Sequence, residues 1–285
     1  MTSMDMNAWQ QKHNDLIQRQ VEQYNATPGN LNKDHTDVNG KLIPGDGIDC
    51  PLCRNRGNTY VMLVDGTGDA QMYYKPCECL LRRSAVRRLR ESGLEKAVKR
   101  CTFDAFKDNE PWQVRMKDTA MSYVREGAGE GKWLYVGGQS GSGKSMLCTA
   151  VAGELLKRCN LRYMVWPQEA RRLKAMVNDA EGYAQEITAL QTVEALYIDD
   201  FWKPAFRTDG GDALATAADV RLAFDILNAR YINDRPTIIS SEWFSSELAE
   251  IDEAIAGRIV ESAGEYVLDI GRDASRNWRM KGNVI

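Results

Sequence analysis

Two kinds of apolar pattern alternate along most of the chain. Short continuous runs recur at Trp133-Leu134-Tyr135-Val136, Arg162 to Trp166, Ala195-Leu196-Tyr197-Ile198, Thr237-Ile238-Ile239-Ser240-Ser241 and Tyr266 to Ile270. Runs this short and this apolar suit strands covered on both faces. Between them the apolar positions fall at helical spacing. Met146 to Cys159 carries Leu147, Ala150, Val151 and Leu155 on one face. Trp112 to Glu126 and Gln168 to Asn178 predict helices, with Pro167 ending the strand before the second, and Asp179 to Val193 predicts a further helical piece. Phe201 to Ala218 is a polar, Gly-containing loop. Asp219 is placed to cap a helix over Val220 to Asn233, and Ser246 to cap one carrying Leu248, Ile251, Ile255 and Ile259. Strands alternating with helices in this way predict an α/β fold, a parallel sheet flanked by helices.

The N-terminal third reads differently. Met1 to Tyr24 is Gln-rich, with Leu16, Ile17 and Val21 as a weak helical stripe. It predicts a short helix, either docked on a partner or left as a solvated arm. Asn25 to Asp49 scatters Pro and Gly among polar residues and predicts an irregular linker. Thr59 to Val64 and Ala70 to Tyr74 predict a hairpin about the turn Asp65 to Asp69. These shifts divide the chain into an arm and linker (1–49), a small module (50–100) and a larger α/β domain (101–285).

That hairpin would bring Cys50 and Cys53 beside Cys77 and Cys79. Four thiolates meet the tetrahedral demand of Zn²⁺, although the second pair, with one intervening residue, is tighter than usual. Cys101, Cys148 and Cys159 stand alone. Next comes a basic stretch with Arg82, Arg83, Arg87, Arg88, Arg90, Lys96, Lys99 and Arg100. It predicts a helix that contacts DNA phosphates, docks on an acidic partner, or is simply solvated. The net charge of −3 excludes a general polycation, so any DNA contact must be local. No apolar run approaches a membrane span, and Met1 to Asn14 lacks the apolar core of a signal peptide, so no membrane association and cytoplasmic residence are expected.

Chemistry concentrates after the first apolar run. Gly138-Gln139-Ser140-Gly141-Ser142-Gly143-Lys144-Ser145 fits G-x-x-x-x-G-K-[ST], the phosphate-binding P-loop. The predicted nucleotide contacts are Gly138, Ser140, Gly141, Ser142, Gly143, Lys144, Ser145 and Met146. Glycines let several N–H groups turn toward one anion, Lys144 reaches the β- and γ-phosphates, and Ser145 ligates Mg²⁺. The apolar run ending in Asp199-Asp200 matches the acidic strand end that accompanies a P-loop. Asp199 is predicted to hold Mg²⁺ and Asp200 to polarise the attacking water.

Taken in order, these features resemble the DnaC/DnaI-type helicase loaders of the AAA+ superfamily, especially the phage and prophage branch. The carriers are the four-cysteine module with its basic helix, Cys101-Thr102-Phe103, the P-loop, Asp199-Asp200, Arg235 to Ser241, Asp252 to Ile259 and Asn277-Trp278-Arg279. The resemblance implies ATP as ligand, a replicative hexameric helicase and single-stranded DNA as partners, and ATP-dependent homo-oligomers. It also implies weak, switch-like hydrolysis. Arg258 looks like the arginine finger reaching a neighbouring subunit's nucleotide, and Arg279 like the sensor-2 arginine of its own site. The sensor-1 strand usually ends near an asparagine. Here Ser241 is left to orient water, followed by Glu242. A transposition helper of the IstB type shares the core but generally lacks the cysteine module. A monomeric P-loop kinase would make no use of Arg258 across subunits.

Overall fold

A computed structural model of the chain describes residues 3–36, 40, 42–43, 45–176, 178–203 and 215–281. They belong to two units, Met1–Arg87 and Arg88–Ile285.

In the first unit, helix α1 (Ser3–Ala26) lies on an antiparallel hairpin, β1 (Asn58–Val64) and β2 (Ala70–Pro76). The helix is neither a free arm nor held by its apolar stripe. Val21 is buried but Leu16 is exposed. Amide side chains do the holding. Asn14 donates Nδ2–H to Gly68 O (3.0 Å) and its Oδ1 accepts from Ala70 N–H (2.9 Å). Asn25 treats Tyr60 the same way, at 2.8 and 3.0 Å. A carboxamide matches a peptide unit's donor and acceptor, so each Asn satisfies strand backbone as another strand would. The Asn/Gln-rich composition of this helix therefore has a structural use. Helix α2 (Cys79–Glu91) starts at the last cysteine of the module and runs on into the second unit.

The second unit continues with the one-turn helix α3 (Glu95–Val98) and with α4 (Pro111–Arg125). Strands β3 (Trp133–Gly138), β4 (Leu161–Val165), β5 (Ala195–Phe201), β6 (Thr237–Ser241) and β7 (Val267–Ile270) form one parallel sheet in the order β4-β5-β6-β3-β7. Strand alternation splits the apolar runs between two layers. Trp133, Tyr135, Leu196, Ile198 and Ile239 enter one core. It is closed by residues of α6 (Trp166–Ala175), α7 (Ala180–Thr192), α8 (Ala217–Ile232), α9 (Leu248–Ile251) and α10 (Glu253–Ala263). Leu134, Val136, Tyr197 and Ile238 enter the other, closed by α4 and α5 (Lys144–Leu155). A short helix α11 (Trp278–Lys281) ends the described chain.

Three local expectations need correction. Pro167 does not end a strand. It stands in the first turn of α6, where a missing N–H has no helical partner to lose. Thr216, not Asp219, caps α8, and Asp219 completes a reciprocal capping box with it. The helix expected after Ser246 is two helices. Asp252 is extended, ends α9, and starts α10 by accepting from Ile255 N–H at 2.8 Å. Most of the predicted loop after Phe201, residues 204–214, lies outside the described residues.

Candidate functional site

The P-loop leaves the end of β3 and enters α5. Gly138, Gly141 and Gly143 all have positive φ (101°, 75° and 96°). At Gly141 a Cβ would also fall 2.1 Å from Asn277 Oδ1, so a side chain there is excluded twice. The C-terminal segment packs on the loop, with Trp278 N–H donating to Gly141 O at 2.9 Å. Ser142 Oγ donates to Gln139 O at 2.8 Å and helps fix the turn.

Lys144 is buried, and its Nζ donates to Gly138 O (2.8 Å) and Gln139 O (2.7 Å). Burial pulls its pKa down, against the charges of Glu242 and Asp200. Ser145 Oγ donates to Asp199 Oδ1 at 2.8 Å, so the two residues expected to share Mg²⁺ already meet. Tyr163 donates its hydroxyl to Asp199 Oδ2 at 3.3 Å. Burial and the Asp199 charge raise its pKa, which keeps it a donor. A cavity of about 490 Å³ opens beside Lys144 and Ser145. Ser140 to Met146, Asp200, Lys203 and Glu242 line it, and Ala105, Phe106, Lys107, Gln113 and Trp278 complete its wall. Its size and its mix of an apolar wall with convergent charges suit a nucleotide. A hydroxyl beside a carboxylate is the oxygen donor set that Mg²⁺ prefers.

The serine assignment shifts by one residue. Ser241 Oγ donates to Phe201 O at 2.8 Å in the interior and does not face the cavity acids. Ser240, one position earlier and on the opposite side of β6, donates to Asp199 Oδ1 and accepts from Asp200 N–H at 3.2 Å. Strand parity carried that signal: Ser240 shares its side with Ile238, in the layer that α5 closes. Arg258 is not among the residues lining the cavity. It donates to Asn228 Oδ1 (2.9 Å) and Ala254 O (2.8 Å) and lies over the rings of Phe224 and Tyr231. The side chain of Arg279 lies outside the described residues.

In the first unit the hairpin does bring the cysteine pairs together. All four Sγ atoms lie within 4.8 Å of one another and are buried. Cys50 and Cys77 are 3.8 Å apart, Cys53 and Cys79 3.5 Å. A tetrahedron with Zn–S bonds of about 2.3 Å has edges of about 3.8 Å, so the cluster fits zinc. Burial raises the Cys53 thiol, but the Gly57 N–H and the other thiols outweigh it and pull its pKa down to about 6. Burial pushes Cys79 up to about 12.

The basic helix proves less free than its sequence suggests. Arg83 is buried beneath the cysteines. It donates Nε–H to Cys79 Sγ (3.3 Å), pairs with Asp46 at 2.6 Å and reaches Asn55 Oδ1 at 2.8 Å. Asn55 in turn accepts from Cys50 N–H. This is a ligand-orienting shell of the kind structural metal sites use. Arg88 donates to Leu156 O (2.8 Å) and Lys157 O (2.7 Å), carbonyls at the end of the P-loop helix. Arg82, Arg87, Lys96, Lys99 and Arg100 remain exposed.

No protein-family model matches the chain. Three curated proteins of Bacillus subtilis (strain 168) do. The chain is 31% identical over 210 residues to the uncharacterized protein YqaM, covering 70% of this chain and 64% of that one. It is 27% identical over 241 residues to the phage-like element PBSX protein XkdC, covering 82% and 87%. It is 24% identical over 220 residues to the replicative helicase loader DnaI, covering 70% and 66%. The chain thus spans just under two thirds of YqaM and of DnaI. Among solved structures, the DnaC helicase loader matches 62% of this chain and 99% of its own, with a TM-score of 0.51 and 20% identity. The resemblance to DnaC/DnaI-type loaders therefore holds in sequence and in fold, and the sequence matches extend to a phage-like element protein.

Proposed function

We propose that the chain is an ATP-binding loader that delivers a hexameric replicative helicase to single-stranded DNA in the cytoplasm during replication initiation. The observation that carries this reading is a complete two-acid P-loop site in a chain whose sequence is similar to a replicative helicase loader. The bound Mg²⁺-nucleotide would supply a scissile phosphoanhydride and a metal that neutralises its charge. Lys144 and the loop N–H groups would hold the phosphates, and Ser145 and Asp199 the metal. Asp200 would accept a proton from the attacking water, with Ser240 fixing the two acids. Phe106 and Trp278 would face the base. Arg258 would complete a neighbour's site in an ATP-dependent oligomer, and Arg279 would approach the γ-phosphate of its own. Zinc would hold the cysteine unit, which would grip the helicase. Hydrolysis would be slow and act as a release switch.

The test is transfer of a purified hexameric helicase onto circular single-stranded DNA covered by single-strand-binding protein. Transfer should require ATP and fail with Lys144→Ala. Arg258→Ala should bind ATP normally yet fail, and mixing it with Lys144→Ala should restore part of the activity, because a mixed assembly pairs an intact loop with an intact finger. ATP-independent transfer, or none by the parent, would reject the reading.

A further inference from the structure

Besides Lys144 and Lys107, the cavity contains a further cation that belongs to neither motif. Lys203 Nζ stands 3.0 Å from Glu242 Oε1 and 3.4 Å from Asp200 Oδ1. All three side chains line the same cavity as Lys144 and Ser145. Against its burial, Lys203 and Ser140 of the loop help hold the Glu242 carboxyl below its usual range. Burial pulls the Lys203 pKa down, but its bond to Glu242 and the Asp200 charge outweigh this, so it is raised and the side chain stays charged.

The backbone that places Lys203 is strained. The pairing of β5 with β6 shifts register between Ile198 and Phe201. Asp200 and Trp202 both have positive φ, at 54° and 55°, the left-handed region that residues with a side chain seldom adopt. Such strain persists only where the surroundings fix it. Phe201 and Trp202 are fully buried and their rings stack at 4.5 Å. Ser241 Oγ and Trp243 Nε1 hold the carbonyls of Phe201 and Trp202. Lys203 N–H then bonds Asp200 O at 3.0 Å and closes a turn that folds the ammonium back over Asp200. A surface ion pair needs no such arrangement.

Position within the cavity says which part of a ligand Lys203 faces. The loop and Lys144 address phosphates that a diphosphate also carries, whereas the acids mark the terminal phosphate. Lys203 is tied to one of those acids. A triphosphate entering here meets Asp200 and Glu242, two like charges. Lys203 can offset them by exchanging carboxylate for phosphate through rotation of its own side chain. We propose that Lys203 is the residue by which this site tells a nucleoside triphosphate from a diphosphate, its ammonium moving between the terminal phosphate and the Asp200–Glu242 pair. Glu242, standing where an amide is usual, is the seat to which Lys203 returns.

This inference rests on the nucleotide reading above, and its test separates the two. Calorimetric titration of the full chain with Mg²⁺-ATP and with Mg²⁺-ADP gives a ratio of affinities. Lys203→Ala should weaken ATP roughly ten- to a hundredfold, the range for a hydrogen bond to a charged group, and ADP less than about twofold. Lys203→Arg should keep part of the ATP preference. Glu242→Gln, which frees Lys203, should bind ATP at least as tightly as the parent. Lys144→Ala should lose both nucleotides. A parent that binds neither nucleotide overturns the nucleotide reading and this proposal together. A parent that binds both, with Lys203→Ala losing both equally or neither, overturns this proposal alone. Should Lys203→Ala fold poorly, Lys203→Gln, which keeps a polar side chain and loses the charge, carries the same expectations.

Discussion

Among the described residues, the first unit's buried cluster is four cysteines, while the second unit has two apolar layers, one on each face of a five-stranded sheet. Each unit also buries an arginine, and the two are held differently. Arg83 pairs with the Asp46 carboxylate and the Cys79 sulfur. Arg230 is wholly inaccessible and meets no carboxylate among the described residues. It donates to Thr237 Oγ1 and to the carbonyls of Leu190, Val193 and Pro236 at 2.8–3.0 Å. Burial and the neighbouring Arg235 charge pull its pKa down to about 9. The difference follows from what each region can supply. A small unit with little apolar area would take its stability from a metal bound by the four thiols, and charged side chains surround that cluster. A sheet with two full layers can tolerate one desolvated cation that gathers carbonyls left over where α7 ends and β5 and β6 begin.

The strongest way to break this contrast is metal removal. Structural zinc contributes on the order of 10 kcal/mol to small domains. Stripping the metal, or replacing Cys77 and Cys79 together by serine, should unfold residues 50–80 and leave the sheet unit binding nucleotide. Hydrogen exchange read segment by segment checks this. Metal analysis without zinc, or protection that persists after chelation, would mean the thiols merely pack.

A smaller effect is expected at Arg230. Arg230→Met keeps the volume but orphans several buried carbonyls, at about 1–3 kcal/mol for each group that water cannot reach. Denaturant unfolding of the sheet unit should show a loss of about 2–4 kcal/mol, a few such groups less the relief of removing a desolvated charge. The cysteine unit should keep its metal.

The smallest effect sharpens the contrast within helix α2. Arg82 and Arg87 are exposed, whereas Arg83 and Arg88 are bound internally. If the helix contacts single-stranded DNA, Arg82→Gln with Arg87→Gln should reduce the salt slope of binding by about 1.4, from about 0.7 per phosphate contact. Arg88→Gln should leave the slope unchanged and cost only the stability of a helix end. Filter binding across a salt series distinguishes the two outcomes.

Much of the second unit was legible because its signals are local. A glycine run that needs positive φ, acids at the end of an apolar strand and continuous apolar segments are written in adjacent residues, and chain order with right-handed crossovers limits the sheet. The cysteine cluster was legible because a hairpin fixes which residues face each other. Other features depend on partners far apart in sequence. Nothing in Arg83 or Arg88 distinguishes them from Arg82 and Arg87 until Asp46, Cys79 and the end of α5 come into place. The choice of Ser240 over Ser241 needed the facing of β6 against β5. The seat of Lys203 needed a strained turn that only buried Phe201 and Trp202 can hold. The Asn14 and Asn25 contacts needed a hairpin whose backbone was open on one side. The sequence by itself determined the strand–loop–helix of the P-loop, the order of the layers and the set of four thiols, because neighbouring residues decide backbone conformation and apolar periodicity. Tertiary structure alone decided which charges are internal and which remain for a ligand, because a charged side chain takes its partner from whatever the fold carries within a few ångströms of it.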